Sequence, residues 1–170
     1  MQFRCLPFTP KLRTIATVKN TPDPKIRLHE ACLADVERRI ATLEDVLAGI
    51  AAARENETKS SVGDKYETGR AMLQRQEAQA RAQLGQVLEQ RRELDALDFR
   101  AVHERVRKGS LVTTTRGNYY LAIGLGKITV DGLTYFCIST QSPIGRAMLH
   151  RETGDRIHFN GIDQVITGIA

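Results

Sequence analysis

The first half of the chain carries the hydrophobic pattern of a long helix. Between residues 26 and 50, apolar positions recur at alternating spacings of three and four, which is the a/d seam of a coiled coil. No proline interrupts residues 25–61, so we predict one helix of roughly 30 residues, about 45 Å long. The seam consists of Ile26, Leu33, Val36, Ile40, Leu43, Leu47 and Ile50, with His29 in its one gap.

A second helical pattern follows, from about residue 64 to about residue 97. The segment is rich in Ala, Gln and Arg, a composition that favours helix. Its apolar stripe is weaker than the first, because Gln76 and Arg91 interrupt it. The stripe consists of Leu73, Ala80, Leu84, Val87, Leu94 and Ala101.

The join between the two patterns is short, spanning residues 56–63. Short connections make consecutive helices antiparallel neighbours. We therefore predict a coiled-coil hairpin over residues 25–98, with its free end at residues 55–67. Half of a larger helical bundle is the alternative that periodicity leaves open.

Residues 109–170 change to the pattern of a small β-rich domain. β-branched and aromatic residues alternate with turn sequences, and Ser142 with Pro143 predicts the capped start of a short helix. We expect four or five antiparallel strands with one short helix, and hence the α+β class. Three sequences are predicted hairpin turns, Arg116-Gly117-Asn118, Asp131-Gly132 and Asn160-Gly161.

The composition predicts a flexible tail at the start of the chain, and the distribution of charge weakens the case for a nucleic-acid-binding protein. Residues 1–24 hold four of the five prolines without periodicity, which is typical of a flexible tail. The net charge of +5 is concentrated there: residues 1–23 carry four basic and one acidic side chain, residues 24–108 carry 16 and 15, and residues 109–170 carry five and four. The predicted folded parts are thus nearly neutral, which weakens a general nucleic-acid-binding class. The basic start also fits an organellar transit peptide, although its prolines disfavour the required helix.

The remaining chemistry points away from a free-standing enzyme. The chain has three cysteines, an odd number without paired spacing: Cys5, Cys32 and Cys137. This pattern argues against a disulfide framework and favours a protein of the reducing cytoplasm. The four histidines adjoin no cysteine at metal-ligand spacing, and neither a Ser-His-Asp motif nor a phosphate loop is visible. No apolar run approaches the ~18–20 residues that cross a bilayer. We expect a cytoplasmic protein with no intrinsic cofactor or metal and no membrane partner.

Three segments of the sequence carry a family resemblance. "SPIGRAMLHRETGD" at 142–155 and "KGSLVTT" at 108–114 resemble the signature and the Gly-Ser-x-Val opening of the C-terminal domain in the Gre family of bacterial transcript-cleavage factors. "GDKYE" at 63–67 is similar to the Gly-Asp-x-x-Glu at the Gre hairpin tip. The resemblance covers about residues 25–170. The tip departs from the pattern, because the Gly-Asp pair comes later after Arg54 than in the family and Thr68-Gly69-Arg70 follow it.

The resemblance implies a hairpin followed by an FKBP-like domain, and a factor that binds RNA polymerase. The tip would enter the polymerase secondary channel and stimulate cleavage of backtracked transcripts. The chain would then be an activator of the polymerase's own hydrolysis, not an enzyme, and would meet the nascent RNA 3′ end only through the polymerase. Its departures at the tip motivate an alternative, a Gre-like channel regulator that modulates or inhibits the polymerase without cleavage. A coiled-coil adaptor unrelated to polymerase is a third hypothesis.

The tip residues implied by the resemblance are carboxylates. Asp64 and Glu67 would be lent to Mg²⁺ held with the polymerase, since a hard cation prefers oxygen ligands. The same Asp-x-x-Glu spacing is also a helix capping box, and the two roles stay open side by side. Further possible tip residues are Glu55, Glu57, Lys65 and Tyr66.

In the C-terminal part, the resemblance implies docking on the rim of the polymerase channel. The implied contact residues are Ser142, Pro143, Ile144, Arg146 and Arg151. The arginines would face acidic polymerase residues. The same residue types also suit a capped helix that packs on a sheet beside two solvated arginines, and the sequence leaves both interpretations open.

Overall fold

A computed structural model of the chain describes residues 23–59 and 65–170, with side chains not described at 57–59 and 65–67. The predicted tail, up to residue 22, and the turn at 60–64 lie outside the described residues. The described part confirms the α+β class, with two long helices first and a sheet with one short helix after them. In chain order the elements are α1 (Pro24–Lys59), α2 (Lys65–Asp95), β1 (Leu111–Thr114), β2 (Asn118–Ala122), β3 (Gly126–Val130), β4 (Leu133–Ser139), α3 (Pro143–Met148), β5 (Arg156–Phe159) and β6 (Ile162–Ile169).

Helix α1 begins earlier than predicted, because the chain caps it. The Asp23 side chain accepts a hydrogen bond from the backbone N–H of Lys25 at 2.9 Å. Pro24 then stands in the first helical position, where its missing N–H costs nothing. Pro24, assigned to the tail from the sequence, is therefore the first residue of a helix of 36 residues.

The helices α1 and α2 form the predicted antiparallel pair. Every predicted seam position of α1 from Ile26 to Ile50 is at least partly buried. Two ion pairs cross between the helices. Arg91, one of the two polar positions in the α2 stripe, donates to Glu37 at 2.8 Å, and Glu77, which follows the other polar position Gln76, accepts from Arg54 at 2.7 Å. Exposed ion pairs of this kind contribute at most about 1 kcal/mol each. The apolar seam therefore holds the helices together, and the ion pairs favour this one register.

The sheet differs from the prediction in strand number and in direction. Within the described residues it has six strands in the order β3-β4-β2-β1-β6-β5. The expectation of four or five strands is therefore wrong. The expectation that all strands are antiparallel is also wrong, because β2 and β4 pair in parallel. This pairing sets Tyr120 directly beside Cys137, and both side chains are buried against α1. Turn sequences specify hairpins, but burial of these two side chains favours β4 as the neighbour of β2.

The predicted hairpin turns are confirmed. Asp131-Gly132 and Asn160-Gly161 are two-residue loops between directly paired strand ends. Their φ angles are 52° and 77° in the first loop and 50° and 74° in the second. Positive φ at both positions defines the type I′ turn, whose twist matches that of the strands and which Asn-Gly and Asp-Gly favour. Arg116 and Gly117 lie in the turn that joins β1 to β2, and Asn118 is the first residue of β2, where it pairs with Thr113.

Two clusters of buried side chains cover the two faces of the sheet. Successive residues of β2 point to opposite faces, so Tyr120 belongs to one cluster and Leu121 to the other. The base of the helical hairpin covers the first face, and α3 with its Met148 covers the second. The first cluster consists of Leu28, Cys32, Val36, Leu94, Tyr120, Ala122, Ile123, Tyr135 and Cys137. The second consists of Val106, Val112, Leu121, Met148, Ile157 and Ile166.

The hairpin runs well beyond the sheet. The last α1 residue packed against the first cluster is Ile40, and its counterpart on α2 is Val87. Residues 41–59 of α1 continue past that point for roughly 28 Å, at about 1.5 Å per residue. Neither this helix nor any other in the described ranges is long and apolar enough to cross a membrane. The predicted boundary between the hairpin and the β-rich part, near 98–109, falls in the irregular segment between α2 and β1.

Candidate functional site

The far end of the hairpin carries the acidic candidates on its α1 side. Glu55 is exposed on α1, directly after Arg54. Glu57 lies on the same helix, but its side chain is outside the described residues. The helix ends at Lys59, five residues beyond Arg54, a distance of about 8 Å.

On the α2 side, the helix begins at Lys65, with Tyr66 and Glu67 in its first turn. The side chains of these three residues lie outside the described residues, and so does the whole of Asp64. The capping interpretation and the metal-donor interpretation of Asp64 and Glu67 therefore both stay predictions.

A cluster of three charges ties the two helices together just below this end. The Glu77 carboxylate lies 2.7 Å from Arg54 of α1 and 2.7 Å from Arg81 of its own helix. Glu77 is the least exposed of the three, at 19% of its side-chain surface. Its charge is thus matched twice within the hairpin. The arrangement therefore favours the register in which Arg54 of α1 lies beside Glu77 of α2.

The signature segment 142–155 begins with the predicted helix cap. Ser142 has extended backbone angles, and its hydroxyl oxygen accepts from the N–H of Gly145 at 3.1 Å. The same hydroxyl donates to the carbonyl of Ser139 at 2.7 Å, and Pro143 takes the first helical position. A Cβ on Gly145 would lie 2.1 Å from the Ser139 carbonyl oxygen, so only glycine fits there. The end of β4 and the start of α3 are therefore pressed together.

The side chains of α3 divide between the core and the surface. Ile144 packs against the second cluster and Met148 is fully buried in it, as expected for a helix that packs on a sheet. Pro143, Arg146 and Arg151 are exposed. Within the described residues, neither arginine has an ion-pair partner. Of the five candidate contact residues, Ser142 and Ile144 thus serve the fold, and the other three face solvent.

The loop after α3 holds Arg151 in a defined place. The N–H of Val106 donates to the carbonyl of Arg151, and the N–H of His150 donates to the carbonyl of Val106, both at 2.9 Å. An ion pair at 2.6 Å between Arg105 and Glu152, the neighbours of Val106 and Arg151 in the sequence, joins the same two segments at the surface. The Arg151 backbone is fixed while its side chain projects, which is the arrangement that suits a surface contact.

Sequence reasoning missed a polar contact at the base of the hairpin. The Nδ1 atom of His29, on α1, lies 3.0 Å from the Tyr120 hydroxyl on β2, and the His29 ring stacks on Phe99 at 4.1 Å. Burial lowers the pKa of His29 and is opposed by the nearby charges of Asp95 and Glu30. Burial also raises the pKa of Tyr120. Both groups are therefore neutral around pH 7, and their hydrogen bond joins α1 to the sheet.

A second missed contact lies beside it. The sulfur atoms of Cys32, on α1, and Cys137, on β4, are 3.3 Å apart in the first cluster. The pKa of the Cys137 thiol is raised; the larger cause is the hydrogen bond with Cys32, and the second is burial. The one sequence signal for this interface is local: Leu28 and Cys32 are one turn apart beside the seam, and they widen the apolar face at the start of α1.

The groove between the helices lacks the groups of an active site. It measures about 400 Å³, and it is lined by two arginines, three glutamines and a threonine around two apolar residues. No carboxylate, thiol or imidazole lines it. This groove therefore offers no candidate acid, base or nucleophile.

Comparison of the chain with protein-family models, with curated proteins and with solved structures gave no match in any of the three. The likeness to Gre factors therefore rests on three segments of the sequence and on the order of the two parts.

Proposed function

We propose that the protein is a Gre-like factor that binds RNA polymerase and stimulates cleavage of backtracked transcripts. The observation that carries the proposal is the hairpin, which leaves the sheet as an antiparallel pair and runs about 28 Å past its last core contact. Such a narrow arm can enter a channel that the globular part cannot. Glu55 on α1 and Glu67 on α2 bound its far end, and the sequence between them also contains Glu57 and Asp64.

In this proposal the two parts of the molecule divide the work. The sheet with α3, which we propose to be FKBP-like, stays outside the channel and binds its rim. The exposed Arg146 and Arg151 would face acidic polymerase side chains there, with the Arg151 carbonyl held by a hydrogen bond from the backbone N–H of Val106. The contact between α1 and the sheet fixes the direction of the arm relative to this docking surface.

The chemistry proposed for the arm is to supply ligands to a metal ion that the polymerase holds. Hydrolysis of a phosphodiester is accelerated when a second Mg²⁺ orients water and stabilises the leaving oxygen. Asp64 and Glu67 would offer carboxylate oxygens to that ion, which a hard cation prefers. The bond is broken in the polymerase active site, and the protein acts there as an activator without turnover of its own.

One structural feature favours a second candidate. Helix α1 continues for five residues beyond Arg54, whereas in the Gre pattern the Gly-Asp pair follows within a few residues of that arginine. The insertion thus lengthens one side of the hairpin and changes where its carboxylates lie. A Gre-like regulator that occupies the channel and slows nucleotide addition without cleavage would have this kind of end.

The deciding experiment adds the full-length protein to stalled, backtracked elongation complexes and resolves the RNA products. We expect short 3′ fragments with the wild type and their loss with Asp64→Asn combined with Glu67→Gln. The matched control is Glu44→Gln with Asp45→Asn, which removes the same two charges from exposed positions on the shaft. Binding of each variant is measured separately by co-purification with polymerase.

The outcomes separate the candidates. Cleavage that survives in the tip variant, with binding intact, removes the roles assigned to Asp64 and Glu67. Slower RNA synthesis without any fragment identifies the inhibitory regulator. If the wild type does not bind polymerase, the cleavage factor and the inhibitory regulator are both refuted. The third hypothesis, a coiled-coil adaptor unrelated to polymerase, is then favoured.

A further inference from the structure

The two buried thiols lie where the arm meets the sheet. Cys32 and Cys137 are separated by 105 residues in sequence, yet their sulfur atoms are 3.3 Å apart. Neither is reachable from solvent in the closed structure, with exposures of 0% and 1%. Their neighbours are also core residues: Leu28 and Val36 flank Cys32 on α1, and Cys137 pairs with Tyr120 across the sheet.

This geometry is close to that of a disulfide. The S–S bond is about 2.05 Å long, so the two sulfur atoms need to approach by roughly 1.3 Å. The rest of the first cluster already holds the two elements together. A covalent link would join the third turn of α1 to an interior strand of the sheet, because β4 lies between the edge strand β3 and β2.

We propose that Cys32 and Cys137 form a latent redox clamp, which a peroxide oxidant closes into a disulfide that locks the arm onto the sheet. In the first step one thiolate attacks a peroxide oxygen, the O–O bond breaks, and a sulfenic acid and hydroxide result. In the second step the other thiolate attacks the sulfenic sulfur, the S–O bond breaks and hydroxide leaves. The two hydroxides take up the two protons that the thiols lost on becoming thiolates, and two waters result. The sum is two thiols and one hydrogen peroxide giving one disulfide and two waters. A dithiol reductant reverses it by exchange.

Burial makes the clamp conditional. The thiolate is the reacting form, and the raised pKa of Cys137 disfavours it in the closed structure. Peroxide must therefore enter during transient opening of the interface between α1 and β4. Oxidation would then hold the interface shut. Because the linked residues enclose more than a hundred others, the crosslink also restricts the unfolded chain strongly.

The test uses the full chain carrying Cys5→Ser, so that the two thiols in question are the only ones left. The protein is treated with hydrogen peroxide below its unfolding temperature. One portion is analysed by intact-mass spectrometry, and another is digested without reduction for peptide mapping. We expect a mass lower by about 2 Da, one peptide pair joining Cys32 to Cys137, and a thermal midpoint raised by roughly 10 °C. Dithiothreitol restores the original mass and midpoint. The control, Cys32→Ala in the same background, shows neither change.

Three results would overturn the proposal. The first is a mass raised in steps of about 16 Da, since both thiols would then oxidise separately. The second is a disulfide between two chains. The third is a Cys32–Cys137 link that leaves the thermal midpoint unchanged. None of these measurements involves RNA polymerase, so the clamp stands or falls independently of the proposed function.

Discussion

Replacing Leu28 with alanine tests whether the base of the hairpin shares one core with the sheet. Leu28 lies on α1 and is fully buried in the first cluster, which also includes Leu94 of α2 and residues of β2 and β4. The change removes three carbon atoms, worth about 0.8 kcal/mol each in lost transfer energy. Its neighbours belong to several elements held by other contacts, so the cavity cannot collapse fully, and we expect a total cost of about 3–4 kcal/mol. For a chain of this length, that lowers the thermal midpoint by roughly 10 °C.

The assay is urea unfolding followed by far-UV circular dichroism for the helices and near-UV circular dichroism for the tyrosines. Val46→Ala is the matched control, because Val46 lies on the same helix with 46% of its surface exposed. We expect that control to change the free energy of unfolding by less than about 0.5 kcal/mol. A Leu28→Ala cost below about 1 kcal/mol, or a tyrosine signal that unfolds unchanged, would refute the shared core.

Two further predictions address other parts of the fold. Gly145→Ala should destabilise the protein by about 1–3 kcal/mol, because the new methyl group would meet the Ser139 carbonyl oxygen at 2.1 Å; a neutral result in urea unfolding would show that α3 is not pressed against β4. Stability should also fall as the pH drops through about 6.5, because burial lowers the pKa of His29 in the folded state and the unfolded chain then binds the additional proton. The free energy of unfolding should therefore decline more steeply in the wild type than in His29→Gln between about pH 7 and pH 5; parallel curves would contradict the assignment.

Local features of the chain were predictable because their causes are local. The α1 seam, the type I′ turns at Asp131-Gly132 and Asn160-Gly161, and the Ser142 cap each depend on residues within one or two turns of each other. Spacing, positive φ and a capping hydroxyl act over that range whatever the rest of the chain does. The start of α1 at Pro24 was missed although its cause is local, since the prolines before it favoured a tail.

The candidate site divides in the same way. The cap at Ser142 and the core role of Ile144 follow from the residue types around them. That Arg146 and Arg151 have no ion-pair partner among the described residues depends on where distant charges lie, and the spacing along the sequence does not give that distance. Asp64 and the side chain of Glu67 lie outside the described residues, so the choice between helix capping and metal binding stays a prediction that the cleavage assay tests.

By itself, then, the sequence determined two long helices, the hairpin between them, and a β-rich part with a capped short helix. Only the tertiary structure decided that β2 pairs in parallel with β4, that His29 meets Tyr120, and that Cys32 meets Cys137. The physical reason is that these contacts join residues far apart in the chain and arise from burying one face of α1 on the sheet. Burial of that face selects partners by shape and volume, which no spacing along the chain records.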